Sequence, residues 1–458
     1  MRGTVFRRFA ISGLAAVVAL GILARSAQAR TRPHYGGVLR VEISGDPWQG
    51  PDGLARSLVL DGLTALSPAG EVRPALAVSW SSDDAAHRWQ FRLRPGVHFQ
   101  DGSPLTADAV VASLNLLCAS ECPWSAVHAV GPAVIFTADS PLPNLPALLA
   151  CDRFLIALAI AQNGQAPPNP VGTGPFAFFS SANGVLTLAA NPDDWQGRPF
   201  LDTIQILAHR SIRDQWLDLT IGRADVVEVP PEHLRQARQQ QFTVLESPPV
   251  TLLALHVADA GPLSNPALRA ALAQAVDRSA LFNVIFQKQG AITAGLLPQS
   301  LTGYAFLFPA TRDLNQARAL RGGVTVSQLS LAVAGDSAMQ LAAQRLALNL
   351  QEAGFPVRVV QAAATPHPGL ALVRLPLAGS TPSAVMETLL RSAGVSVPVL
   401  AQDSAALYKT ERDFLALHTL IPLLDLPRAY ALGARVRDLH LRADGTPDLA
   451  DASLEDAP

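Results

Sequence analysis

Lysine is almost missing from this chain. Lys288 and Lys409 are the only two in 458 residues, so arginine carries the positive charge, a bias that reads as codon usage before function. Charge of either sign is sparse, at 16% of residues with a formal net charge of −2. A nucleic-acid binder usually shows a strongly basic patch or domain, so that class is argued against. Cysteine is limited to Cys118, Cys122 and Cys151. A zinc site needs a fourth ligand at suitable spacing, and the ten scattered histidines supply no such pair. One disulfide plus one free thiol is the plain reading, with the pairing left open. No G-x-S-x-G motif or evident triad is present, which argues against a hydrolase. The chain also lacks internal repeats and low-complexity tracts. Beyond its first residues it has no run of the roughly 20 apolar residues that a membrane span requires.

The N-terminus has the three parts of an export signal. Arg2, Arg7 and Arg8 give a positive start, Ala10 to Ala24 is apolar, and Ala27-Gln28-Ala29 is a small-x-small cleavage site. Residues 1–29 are therefore expected to be a cleavable signal peptide that sends the protein to the periplasm. Arg7-Arg8-Phe9 leaves twin-arginine export open beside ordinary secretion. No cysteine lies near the cleavage site, so a lipid anchor is not expected.

What remains has a globular composition, 49% hydrophobic, and is long enough for two or three lobes. Residues 80–117 give the clearest local pattern. Trp89, Phe91 and Leu93 alternate with Gln90, Arg92 and Arg94, the period of a half-buried strand. Pro95-Gly96 predicts a turn, Val97 and Phe99 predict a second short strand, and Asp101-Gly102 predicts another turn. Thr106 sits where a helix cap belongs, Asp108 suits the first turn, and Val110, Val111, Leu114 and Leu117 share one face. Further on, Val130 to Asp139 reads as one strand. Asn265 and Pro266 open a well-patterned helix. A strand, a helix over about 338–353 stopped by Gly354, and another strand form a crossover unit that favours α/β architecture.

The 80–117 block resembles the signature of one family, the peptide- and nickel-type solute-binding proteins of ABC importers. The likeness continues in family order. Gly172-Thr173-Gly174-Pro175-Phe176 is similar to the family's GTGP-aromatic turn, and Asn191 to Asp202 resembles its N-x-x-W-x-G-x-P-x-L-D segment. Leu219 to Val229 resembles a Gly followed by an Asp-led strand, Pro266 to Leu281 the helix with R-x-A-L-x-x-A-x-D-R, and Asp425 to Leu449 the closing strand and hairpin. The GTG stretch lacks the Gly-Lys-Ser/Thr ending of a phosphate loop, so a structural turn is expected there. A cap or salt bridge is expected of Asp277-Arg278.

The resemblance implies an α/β two-lobed clamshell of the periplasmic-binding type, with a subdomain inserted in the first lobe. Lobe one would comprise 33–56, 165–252 and 425–458, the insertion 57–164, and lobe two 253–424, with hinge strands near Val250 and Leu424. It further implies a monomer without cofactor or metal, not an enzyme, that binds a peptide or peptide-like solute by hinge closure and hands it to a membrane permease. Other solutes, such as a sugar or a metal chelate, and a scaffold that kept the fold remain as alternatives.

Two departures fall on the ligand side. Peptide-type members carry an aromatic and then an Asp, followed closely by Pro, at the start of a lobe-two helix, and that Asp holds the ligand's α-ammonium. In the corresponding stretch, Leu372 to Leu389, Ser380 and Thr381 precede Pro382 and tryptophan is absent. The segment between Ala393 and Ala405 is also short. Position in the clamshell then nominates Asp46 and Trp48 on the lobe-one wall, where Trp48 can stack a planar ligand part. Arg374, Ser380 and Thr381 are nominated on the lobe-two wall, where Arg374 can fork onto a carboxylate.

Overall fold

The computed structural model describes residues 34–49, 53–67, 70–117, 122–158, 169–304, 307–364, 368–379, 381–395 and 403–455. The expected signal peptide, Cys118, Ser380 and most of the shortened segment after Ala393 lie outside them.

Two large sheets dominate. The first has seven strands, in the order Thr243–Glu246, Ala429–Leu432, Val226–Glu228, Val38–Glu42, Thr203–Leu207, Val185–Ala190 and Phe176–Ala182. Its middle strand, Val38–Glu42, runs parallel to both neighbours. Leu39 and Val41 on one of its faces are fully buried, while Arg40 and Glu42 on the other are held by ion pairs to Asp225 and Arg210. The second sheet has six strands, in the order Ala291–Ile292, Leu420–Leu426, Thr251–Val257, Leu370–Pro376, Leu329–Val333 and Val357–Gln361. All seven residues of Leu420–Leu426 are buried. The crossover is present: Leu329–Val333 and Val357–Gln361 pair in parallel around the helix Ser337–Glu352.

Residues 77–137 build a smaller antiparallel sheet, ordered Ala77–Ser82, Arg88–Leu93, Ala133–Thr137, Ala126–Val130, backed by the helix Ala107–Leu117. Trp89, Phe91 and Leu93 face its core, while Arg88, Gln90 and Arg92 are exposed. The Thr106 hydroxyl accepts the Ala109 N–H at 3.2 Å, as a cap should. Two expectations need correction. Val97 to Phe99 is not a ladder strand: His98 forms one isolated bridge to Pro104, which has no N–H to extend it. The expected strand Val130 to Asp139 is instead the end of a hairpin, Ala126–Val130 and Ala133–Thr137, which turns at Gly131.

Several matched motifs prove to be packing devices. Asp61 accepts the Thr173 hydroxyl at 2.8 Å and the Trp195 indole N–H at 2.9 Å, so the GTGP turn and the N-x-x-W segment meet on one carboxylate. A Cβ at Gly172 would stand 2.0 Å from the Val59 carbonyl oxygen, and one at Gly174 2.6 Å from that of Leu58. Both glycines are required by close packing on the helix Leu54–Val59. Asp277 caps the turn behind it by accepting the Ala280 N–H, and Arg278, buried, donates to the Pro422 carbonyl.

Two short crossings, 247–250 and 427–428, lead from one large sheet to the other. They bond to each other as well as to the sheets: Ser247 N–H donates to the Arg428 carbonyl at 2.9 Å, and Val250 N–H to that of Leu426 at 3.0 Å.

Candidate functional site

A cavity of about 260 Å³ opens beside these crossings. One wall comes from the first sheet, with Ser44, Glu228, Pro230 and Tyr430. The other comes from the second, with Thr251, Gln289, Asp336 and Arg374, and Arg428 lies on the crossing itself. Glu228 and Thr251 stand at the end of a strand and Asp336 at the start of a helix, where a rigid element holds each in place.

Arg374 lies on the strand Leu370–Pro376, opposite Leu253. Its Nη1 donates to Asp336 Oδ2 at 2.7 Å. The other carboxylate oxygen of Asp336 accepts the Met339 N–H at 2.9 Å and caps the helix Ser337–Glu352. The cap fixes the aspartate and the aspartate fixes the arginine. Both side chains remain about one third exposed, 36% and 30%, and can be reached from the cavity.

Glu228 is held from the other side. Its Oε2 accepts the Ser44 N–H at 2.8 Å and the Gln215 amide at 3.1 Å. Gln215 is fully buried, and its Oε1 accepts the Glu228 N–H in return. Behind this wall Arg210 bridges Glu42 and Asp218. Burial, and then the nearby Asp218 charge, push the Glu42 carboxyl above its ordinary pKa.

Gln289 also lines a second cavity, of about 780 Å³. That chamber lies between the helix Pro231–Gln239, with Arg235 and Arg238, and the segment 283–289, with Asn283, Gln287 and Lys288. Leu234 and Ala237 of the helix pack with Val227 and Ala431 of the first sheet. Phe286 of the facing segment packs with Leu423 and Leu424 of the second. The two walls therefore belong to different hydrophobic cores.

Of the five residues nominated from sequence, Arg374 lines this cleft. Asp46 accepts the Trp48 N–H at 2.7 Å in a local turn, and Trp48 packs half-buried against the first-sheet core. Thr381 caps the helix Pro382–Ser392 by accepting the Ala384 N–H at 3.2 Å. Ser380 lies outside the described residues. Sequence reasoning missed Asp336, Glu228, Gln289 and Tyr430. Gly335-Asp336 before a long helix was a visible cap signal; the other three carried none, since their roles depend on which strand ends meet.

The profile of the bacterial extracellular solute-binding proteins, family 5, matches residues 71–378. The chain belongs to this family. A probable di/tripeptide-binding protein of Pseudomonas aeruginosa is 26% identical over 342 residues, 64% of either chain. Alignments to the first curated relatives cover 53–64% of those proteins' lengths. Among solved structures, NikA from Brucella suis in complex with Fe(III)-EDTA superposes with a TM-score of 0.80 at 17% identity, over 92% of this chain and 100% of that one. DppA from Helicobacter pylori in complex with the peptide STSA gives 0.79 at 18%, over 92% and 99%. The family-5 chain thus has the two-lobed α/β clamshell fold that its motifs implied. Among its described residues no helix is long and apolar enough to cross a membrane. Cys122 is disulfide-bonded and Cys151 is a free thiol, in keeping with one disulfide plus one free cysteine.

Proposed function

We propose that this protein is the exported solute-binding component of an ABC importer, which closes on a peptide or peptide-like solute and delivers it to a membrane permease. The observation that carries the reading is the cavity beside the two crossings, walled by residues from both large sheets. Two extended connections allow one lobe to rotate on the other, and a ligand touching both walls favours the closed arrangement. On this reading, lobe one is 33–56, 165–252 and 425–458, lobe two is 253–424, and 57–164 is the insertion. The crossings 247–250 and 427–428 are the hinge.

A peptide-like solute offers an ammonium and a carboxylate. Glu228 and Asp336 suit the first and Arg374 suits the second. Asp336 then stands in for the acid that the family carries where this chain has Ser380 and Thr381. The pre-formed Arg374–Asp336 pair means that neither charge waits unpaired for ligand. Few placed polar groups in a mostly formed cleft are typical of small-molecule sites.

Thermal unfolding in the presence of di- to pentapeptides, oligosaccharides and metal chelates tests the assignment. A ligand at 100 times its dissociation constant adds roughly 2.7 kcal/mol of stability. A melting temperature unmoved by every class would remove the importer reading and leave a scaffold that kept the fold.

A further inference from the structure

The 780 Å³ outer chamber is chemically unlike the central cavity. Its described lining holds Arg235, Arg238 and Lys288 against a single acid, Glu246. Arg238 is paired to Glu246. The Arg235 and Lys288 side chains are both exposed and make no ion pair or hydrogen bond with a described residue. They approach the chamber from opposite walls, Arg235 from the helix packed on the first sheet and Lys288 from the segment packed on the second. Like charges facing each other across a narrowing gap oppose closure, and an anion between them reverses that effect.

Gln289 lines both chambers. Only 5% of its surface is exposed, and its side-chain amide has no hydrogen-bond partner among the described residues. Its amide atoms reach solvent, where a solute group can take the place of water. The backbone that presents it is unusual. A π-helical turn, Leu281–Ile285, leads into Gln287 and Lys288, both with positive φ (48° and 66°), and Gly290 follows at 86°. Left-handed backbone at non-glycine residues and single π-turns concentrate at functional sites, where the surrounding packing enforces them.

We infer that the solute taken up by this cleft is elongated and acidic at one end. Its middle, bearing amide or hydroxyl groups, bonds Gln289, and a carboxylate or phosphate at its far end, additional to the one that Arg374 holds, lies between Arg235 and Lys288. The inference rests on the solute-binding reading and narrows it: an anion bridging the two walls is needed for full closure, and Lys288, one of two lysines in the chain, is a specificity residue.

Paired probes test it on the full-length mature protein by calorimetry. The pairs are tri- to pentapeptides of equal length ending in Glu or in Gln, and oligosaccharides with or without a uronic-acid end. The expected result is at least tenfold tighter binding of the acidic member of whichever pair binds. That preference should disappear in the double variant Arg235→Gln, Lys288→Gln, which leaves buried packing untouched and should melt where the parent does. Gln289→Ala should weaken both members by a similar factor. Equal binding of the two members, or a preference that survives the double variant, overturns the inference while the importer reading stands. Binding of no probe at all removes both.

Discussion

Ser247 and Arg428 hold the two inter-sheet crossings together. Ser247 N–H donates to the Arg428 carbonyl at 2.9 Å, and Arg428 N–H donates to the Ser247 hydroxyl oxygen at 3.0 Å. The hydroxyl is itself anchored, donating to the Pro248 carbonyl at 2.6 Å. Gly445 (φ 79°) closes over the pair: a Cβ there would stand 3.1–3.2 Å from Ser247 Oγ, Arg428 Cδ and Val250 Cγ2. The C-terminal hairpin thus rests on both strands of the proposed hinge and bears on how they bend.

Ser247→Ala should leave the Arg428 N–H without its acceptor. An unsatisfied donor costs about 1–3 kcal/mol when fully buried; this bond is part-buried, so the variant should melt lower by a smaller amount. Gly445→Val adds a β-branched residue at positive φ and contact with both crossings. It should lower the melting temperature more than Gly445→Ala does. Equal melting temperatures for the two Gly445 variants would refute the crowding at this position.

Arg374→Ala tests the cleft without threatening the fold. Its ion pair to Asp336 is about one third exposed, and pairs of that kind contribute roughly 0–1 kcal/mol. Melting should therefore change little, while affinity for a carboxylate-bearing ligand should fall by at least tenfold. Asp336→Ala should cost more stability than Arg374→Ala, since it also removes a helix cap worth about 1 kcal/mol. Loss of stability without loss of affinity in Arg374→Ala would assign the residue to scaffolding.

Asp225 is the stability counterpart of that pair. It accepts forked bonds from Arg40 at 3.0 Å and from Arg435 at 2.7 and 2.8 Å, tying the central strand to the C-terminal segment. Burial alone would raise its pKa, but the bonds from Arg435 and Arg40 outweigh burial and hold it below the usual carboxylate range. Asp225→Ala should destabilise by about 3 kcal/mol, the lower end for breaking a buried pair. The guanidiniums remain 31% and 34% exposed, so solvent softens the loss. Chemical unfolding of the variant gives the number directly, and a change under about 1 kcal/mol would refute the assignment.

The fold was readable because local signals agreed with one another. Trp89, Phe91 and Leu93 alternate, Thr106 caps, and Asn265-Pro266 starts a helix; each follows from one stretch of chain. The site was less readable because its residues meet only through topology. Glu228 becomes a cleft residue because its strand sits beside Val38–Glu42, and Gln289 because a π-turn and left-handed residues aim it inward. Local sequence does encode Asp46 and Thr381, but as a turn and a cap. Short polar side chains beside their own N–H groups satisfy those groups first, and nothing in the spacing told that use from ligand contact.

The same distinction bears on pH. Asp425, 4% exposed on the strand that runs into the second crossing, has an oxygen without a partner among described residues, as does the buried Glu411. Burial, and then the Glu411 charge, push Asp425 up to about 7. A carboxyl whose native pKa lies above its unfolded value favours folding most when protonated. Its contribution is complete below about pH 4 and declines as pH rises through 7. Asp225, held low, and His256 and His418, both lowered by burial, act in the opposite sense, and their contributions are lost on acidification. The native protein's curve is the sum of these, so the informative measurement is a difference. Stability of the parent minus that of Asp425→Asn should fall between pH 4 and 7, with a slope of at most about 1.4 kcal/mol per pH unit for one proton. The amide, which carries no charge at any pH, should make the variant the more stable of the two at pH 8. A flat difference would mean that Asp425 titrates alike in the folded and unfolded chains.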